Sequence, residues 1–457
     1  MKAITVGELY RVIGGRLVQG DENVVISRVS TDSRQIKPGD VFFALRGERF
    51  DGHDFVDRAV SGGARAVVVS REVRVDPGVP VVRVGDTLAG LQALAAYHRR
   101  QFAVPVVGIT GSSGKTTTKD MVAAVLGSRY QVLKTPGNFN NEIGLPLTLL
   151  EFSPEHGAAV VEMAMRAPGE INSLCLLARP TCAVITSIGT AHAERLGSVE
   201  NIARAKGEIL DHISRDGFAL LPGDSPHARE QARRCHGRVL FFGLEPGNDI
   251  YARDIRREGR GNRFTAVMGD IECEVRLPLP GRHNIMNALA AAGTGLLLGL
   301  TPAEVSAGLA RVVLSGMRME VVDGSGITVI NDAYNANPDS TCAALQALEE
   351  VAAGRRAVAV LGDMLELGEG AAEGHRRVGA AAARHGVALL VTVGELSRHT
   401  AEGARGTGLP AGSVVACGDK EQALQVLHRE LRPGDVVLVK GSRGMHMEEI
   451  VDDLLKN

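Results

Sequence analysis

The chain is short of net charge, of paired cysteines, of long apolar runs and of lysine. Its 457 residues carry 51 Lys and Arg against 53 Asp and Glu, a formal net charge of −2 at pH 7. That balance excludes a general electrostatic affinity for nucleic acid, so any phosphate binding must come from a local site. The six cysteines (Cys175, Cys182, Cys235, Cys273, Cys342, Cys417) are scattered, with no CxxC pair. Disulfide frameworks belong mainly to short secreted chains, so these thiols are expected to be reduced and buried. The opening MKAITVGELY reaches Glu8 before any long apolar stretch and does not read as a signal peptide. The most apolar later segment, 288–300, holds Gly293, Gly295 and Gly299 and is shorter than the ~18–20 residues that span a bilayer. It reads as a buried helix. A cytoplasmic protein without membrane insertion is the expectation. There is no internal repeat and no low-complexity tract. Only nine of the 51 basic residues are lysine, yet Lys115, Lys119, Lys206 and Lys440 stand in distinctive contexts. A compact ammonium is not interchangeable with a planar guanidinium, so an amine is suggested at those positions.

What is present suits a globular protein: 44% hydrophobic and 23% charged residues. The length predicts two to four domains at roughly 100–200 residues each. Residues 1–85 mix short β-type runs (24–26, 41–45, 66–69) with an amphipathic helix at 53–62. A helix at 87–101 leads into the next unit. There a strand at 104–109, a Gly-rich turn and a helix at 116–126, closed by Gly127, are followed by apolar runs at 158–163 and 182–186 that read as buried parallel strands. Helices are predicted at 199–214 and 284–300, and a β-rich insertion at 245–280. From about Ser315, strands at 327–330, 356–361, 388–393 and 436–439 alternate with helices at 340–353, 371–385 and 420–431. The pattern is α/β in three domains: 1–85, a doubly wound parallel sheet in 86–313, and a Rossmann-like unit in 314–457. Fold alone assigns no activity.

The strongest motif is Gly111-Ser112-Ser113-Gly114-Lys115-Thr116-Thr117, between a strand and a helix. Glycines let backbone N–H groups wrap a phosphate, and the helix N-terminus adds partial positive charge. Lys115 would neutralise the β- and γ-phosphates of ATP, and the Thr116 hydroxyl would ligate Mg²⁺. The common phosphate loop has glycine where this chain has Ile109. A Gly/Ser turn that merely caps a helix is the alternative. The shortened TGSSGKTTT loop resembles that of the Mur ligases and of folylpolyglutamate synthase.

The resemblance implies roles at further positions. Glu162, at the end of the run 158–163, matches a Mg²⁺ ligand, although Glu162-Met163-Ala164-Met165 lacks the usual glycine turn. His192 matches a ligand to a second Mg²⁺. Lys206, followed by Gly207 and Glu208, matches a lysine that is carbamylated and helps to hold the metal; a surface lysine paired with Glu208 is the alternative. Carbamylation requires a neutral amine, which burial favours. Asn284 and Asn287, three apart on one helix face, match residues that contact adenine. Arg318 matches an arginine that stabilises the transferring phosphate, and Asp332 a ribose contact.

Three stretches resemble those of the dipeptide-adding branch of the family. Residues 332–338 read DAYNANP, 361–368 LGDMLELG and 440–448 KGSRGMHME; GNFNNEIG at 137–144 also matches, and no DNPR motif is present. Thr31-Asp32-Ser33-Arg34, residues 42–47 ending in Gly47, and 51–53 resemble the UDP-binding domain of these enzymes, which folylpolyglutamate synthase lacks. Asp32 could equally cap a turn. The resemblance thus covers the chain nearly end to end. It implies substrates UDP-N-acetylmuramoyl-tripeptide, D-alanyl-D-alanine and ATP, two Mg²⁺, and an acyl-phosphate intermediate. The substrate contacts expected are Thr31, Asp32, Ser33, Arg34, Gly47, Asn140, Asn141, Tyr334, Asn335 and Asn337. Lys440 or Arg443 could hold a carboxylate. Lys115, Lys206, His192 and Arg318 are the expected catalytic set, in a monomer. A rival of another class is a nucleotide-binding scaffold that kept only the phosphate loop.

Overall fold

The computed structural model describes residues 1–47, 50–190 and 193–456. Two compact units divide the chain. One comprises 1–108, 130–164 and 170–182; the other comprises 109–129, 165–169 and the chain from 183 onward.

In the first unit a five-stranded sheet runs Arg16–Gln19, Val81–Arg83, Ala66–Val69, Asp40–Phe43, Arg28–Ser30. Its last four strands are parallel, and only the edge strand Arg16–Gln19 is antiparallel. Phe42, Phe43, Val67 and Val68 are buried on both faces, which is why these strands read as unbroken apolar runs. The helix expected at 53–62 is a 3₁₀ turn, Gly52–Phe55, followed by the α-helix Val56–Ser61. Helix Thr87–Arg99 is N-capped by the Asp86 carboxylate and packs against helices Gly144–Leu150 and Glu170–Ala178. Strand His156–Glu162 pairs in parallel with Gln131–Lys134.

In the second unit six strands follow in order from Cys182–Ile185 through Phe218–Pro222, Arg238–Gly243, Ile250–Glu258 and Gly261–Met268 to Ile271–Leu277. The stretch expected as an insertion is instead a continuation of this sheet. Ile250–Glu258 joins in parallel through Phe242↔Ile250 and Gly243↔Tyr251, and two antiparallel strands extend the edge. The apolar segment near 288–300 is the buried helix Arg282–Leu297. It packs on helix Lys115–Leu126, and its glycines explain how closely: a Cβ on Gly295 would lie 2.5 Å from Val125 Cγ1.

The C-terminal six-stranded sheet runs Glu320–Gly324, Ile327–Asp332, Val436–Lys440, Ala357–Gly362, Leu389–Val393, Val414–Cys417. Only its first pair is antiparallel. Buried aliphatic clusters cover both faces, as a doubly wound sheet requires. All six cysteines are free; four are buried, while Cys235 and Cys342 are half-buried. Among the described residues no helix is long and apolar enough to cross a membrane.

Candidate active site

The phosphate loop joins strand Val106–Thr110 to helix Lys115–Leu126. Gly114 caps that helix at φ +81, and a Cβ there would sit 2.7 Å from Asn287 Oδ1. Both facts require glycine. The loop is fastened to the turn after the next strand. Ser112 N donates to Ser187 O at 2.9 Å, Ser113 N to Ser187 Oγ at 2.8 Å, and Gly189 N to Ser112 Oγ at 3.0 Å. Lys115 Nζ donates to Gly111 O at 2.8 Å, which keeps the ammonium over its own loop. Amides, ammonium and helix N-terminus thus converge in a cradle that fits a polyphosphate.

Lys206 lies on helix Val199–Gly207 and is only 1% exposed. Burial, and then the Lys115 cation, push its ammonium well below the ordinary lysine range. The surface-lysine alternative does not hold: the residue is enclosed, and Glu208 accepts from Gly169 N at 2.7 Å. Burial of this kind favours the neutral amine, the nucleophilic form that carbamate formation demands. Glu162 ends its strand 2% exposed, and Asn140 Nδ2 donates to its Oε1 at 2.8 Å. Asn140 therefore orients a carboxylate, while Asn141 Oδ1 accepts from Gly144 N at 2.9 Å and secures the next helix. His192 lies outside the described residues. Among the described residues no three of His, Cys, Asp and Glu gather as a metal site.

Asn284 and Asn287 do share a buried face. Asn287 Nδ2 donates to Asn284 Oδ1 at 3.3 Å, and Thr118 Oγ1 donates to Asn287 Oδ1 at 3.2 Å. In the C-terminal sheet the parallel register sets Asp332 beside Lys440, and Lys440 Nζ donates to Asp332 Oδ2 at 2.5 Å and to Asn335 O at 2.9 Å. Lys440, 3% exposed, is thereby committed, which corrects its reading as a carboxylate holder. Arg443 pairs with Glu448 at 2.7 Å. Asn337 caps helix Pro338–Ala352 through Ser340 N at 2.8 Å, and its Nδ2 donates to Ser113 Oγ at 3.1 Å. Asp339, two residues on, accepts from Thr190 N at 3.2 Å. The DAYNANP segment therefore reaches the phosphate loop itself.

His283 and Asp339 were missed in the sequence. Burial holds His283 neutral, its pKa lowered to about 4; the Asp332 carboxylate opposes this and the Lys440 cation reinforces it. Its place beside Asn284 in GRHN was the available signal. In the first unit, Asp32 accepts from Arg34 Nε at 2.9 Å and from Arg34 N at 3.0 Å. The Arg34 side chain first, then the Arg34 amide, hold the Asp32 carboxyl down at about 2. The Asp32 carboxylate thus caps this turn. Thr31 and Ser33 flank it half-buried, and Gly47 N closes a turn on Phe50 O at 2.9 Å.

Loop, amine and paired sheets are the equipment of a P-loop enzyme acting on a nucleoside triphosphate. Comparison with known proteins narrows that class. The Mur ligase middle domain matches residues 109–295, the Mur ligase glutamate ligase domain 317–443, and the Mur ligase family catalytic domain 25–99. The UDP-N-acetylmuramoyl-tripeptide--D-alanyl-D-alanine ligase of Bacillus subtilis (strain 168) is 41% identical over 99% of this chain and 98% of its own. A crystal structure of MurF from Acinetobacter baumannii superposes with a TM-score of 0.90 at 33% identity, covering 100% of both chains. MurF ligase from Thermotoga maritima in complex with ADP gives 0.83 at 31% identity, covering 94% of this chain and 97% of that one. The chain belongs to the Mur ligase family of ATP-dependent ligases.

Proposed function

We infer that this chain joins D-alanyl-D-alanine to the terminal carboxylate of UDP-N-acetylmuramoyl-tripeptide at the expense of ATP, giving the UDP-muramoyl-pentapeptide, ADP and phosphate for peptidoglycan synthesis. The observation that carries this is likeness to ligases of that name across 99% of the chain. The tripeptide carboxylate attacks the γ-phosphorus and ADP leaves. The dipeptide amine then attacks the acyl phosphate and loses a proton, and phosphate departs as the amide forms. Such transfer depends on positioning and charge neutralisation. Lys115 and the loop amides hold the phosphates, Arg318 offsets charge on the transferring group, and Asn284, Asn287 and Asp332 hold the nucleoside. Two Mg²⁺ would supply further neutralisation, held by Thr116, Glu162, His192 and a carbamate on Lys206. That carbamate forms when the neutral Nζ attacks CO₂ and releases a proton; the buried, pKa-lowered amine supports it.

Residues 1–85 serve as the UDP-binding domain, 86–313 as the ATP domain and 314–457 as the dipeptide domain, in a cytoplasmic monomer. Thr31, Asp32, Ser33, Arg34 and Gly47 face the UDP-linked substrate in this reading, with Asn140, Asn141, Asn335 and Asn337 as further substrate contacts. The test is phosphate release with Mg-ATP, UDP-muramoyl-tripeptide and D-alanyl-D-alanine, omitting each in turn. Release that needs all three and yields pentapeptide supports the assignment. Release with a single amino acid would move the chain to a sister activity, and no release with any acceptor would leave a nucleotide binder.

A further inference from the structure

Arg318 sits in an uncommon stretch of backbone. Met317 and Met319, on either side of it, both adopt left-handed φ values, +59° and +50°. Side chains other than glycine disfavour that region, so surrounding contacts must hold it. They are visible: Tyr334 N donates to Met317 O at 3.2 Å, and Met319 N donates to Asp332 Oδ1 at 3.2 Å. The buried Lys440 in turn grips the other oxygen of Asp332. The loop thus presents one side chain outward from a fixed base.

The guanidinium carbon of Arg318 lies 4.1 Å from the centroid of the Tyr334 ring. Arg318 Nε is buried and has no hydrogen-bond partner among the described residues. A carboxylate beside Arg318 would occupy the donor fork and cancel its charge. An aromatic face does neither: it attracts the cation and leaves the N–H edges free for phosphate oxygens. We propose that Tyr334 is a positioning residue, its ring seating Arg318 so that the guanidinium edge meets the transferring phosphoryl group. This rests on the reading of Arg318 as the arginine that stabilises that group. It assigns the work to the ring rather than to the phenol, and it differs from a direct contact with the incoming dipeptide.

The two roles separate in steady-state kinetics of Tyr334→Leu, Tyr334→Phe, Arg318→Ala and the double variant Arg318→Ala/Tyr334→Leu, with thermal unfolding as the folding control. Tyr334→Leu is expected to lower kcat roughly twofold to thirtyfold, the span of a cation–π contact from exposed to desolvated, without changing KM for the dipeptide. Tyr334→Phe should restore most of that kcat, and it keeps the test open were the leucine variant to unfold. The double variant should be no slower than Arg318→Ala. A loss in dipeptide KM, a phenylalanine variant as slow as the leucine one, or losses that multiply in the double variant would overturn the proposal. Impaired Arg318→Ala beside fully active Tyr334→Leu would overturn it alone, whereas fully active Arg318→Ala would remove the reading of Arg318 along with it.

Discussion

Replacing Lys206 by methionine separates the chemistry of its amine from its bulk. Methionine keeps a long unbranched side chain in a site that is 1% exposed, so little packing is lost. In the folded chain the Lys206 pKa is pushed well below 10.5 by burial and then by Lys115. Folding therefore strips a proton from Lys206 wherever the pH lies between its folded value and 10.5. The unfolded chain binds the extra proton, so stability rises with pH across that window and the full cost is felt below the folded value. The slope is about 1.4 kcal/mol per pH unit. Lys206→Met has no such group. At pH 7 it should be the more stable protein, and its lead should shrink by up to ~2.8 kcal/mol on going to pH 9. Urea or thermal unfolding of both proteins at the two pH values, in CO₂-free buffer, measures this. The same variant should release no phosphate, while wild-type activity should fall in CO₂-depleted buffer and return with bicarbonate. Parallel pH curves for the two proteins, with full activity in Lys206→Met, would refute both the neutral amine and the carbamate.

Lys115→Ala should abolish measurable turnover, on the order of a hundredfold or more for loss of a phosphate-neutralising group, read by phosphate release at saturating ATP. Gly114→Ala should weaken ATP binding at least ~10-fold by calorimetry, because its φ is +81° and the new Cβ meets Asn287 Oδ1 at 2.7 Å; unchanged affinity would contradict the cradle. Asn140→Ala should raise the Mg²⁺ concentration for half-maximal activity ~10-fold or more, since it frees the Glu162 carboxylate from its 2.8 Å orienting bond. An unchanged Mg²⁺ profile would remove Glu162 from the metal set.

The sequence was most legible where a local rule decides the outcome. The phosphate-loop helix begins at Lys115, one residue from the expected start, because glycine, lysine and threonines in that order leave few alternatives. The buried strands were legible as apolar runs. Less legible was anything set by partners far apart in the chain. Residues 245–280 read as a separate insertion because only two residue pairs, Phe242↔Ile250 and Gly243↔Tyr251, weld them to the sheet. Lys440 read as one of two cations that could hold a carboxylate because its partner Asp332 is 108 positions away in sequence yet adjacent in register. Asp32 read two ways until Arg34, two residues on, was placed against it. The nine-residue helix Arg398–Gly406 was passed over, although it is amphipathic, because Gly403 and Gly406 weaken its helical pattern.

The scarcity of lysine gains a physical meaning in the fold. Lys119, Lys206 and Lys440 are all buried, at 0%, 1% and 3% exposure, and Lys115 is folded over its own loop. Each place suits a compact ammonium on a flexible stem and would not admit a guanidinium, which is wider and cannot be deprotonated. In the carbamate reading Lys206 must lose its proton; Lys440 fits between a carboxylate and a carbonyl. Lys119 sits 3.6 Å from Asp120, whose other oxygen accepts both the amide and the hydroxyl of Ser315 at 2.8 Å. That last contact ties the phosphate-loop helix to the segment that leads, three residues later, to Arg318. Ions that are buried and paired in this way cost much desolvation and contribute little net stability. What they contribute is geometry: the Asp120–Ser315 contact relates the loop expected to hold the phosphates to the arginine expected to meet the phosphate in flight.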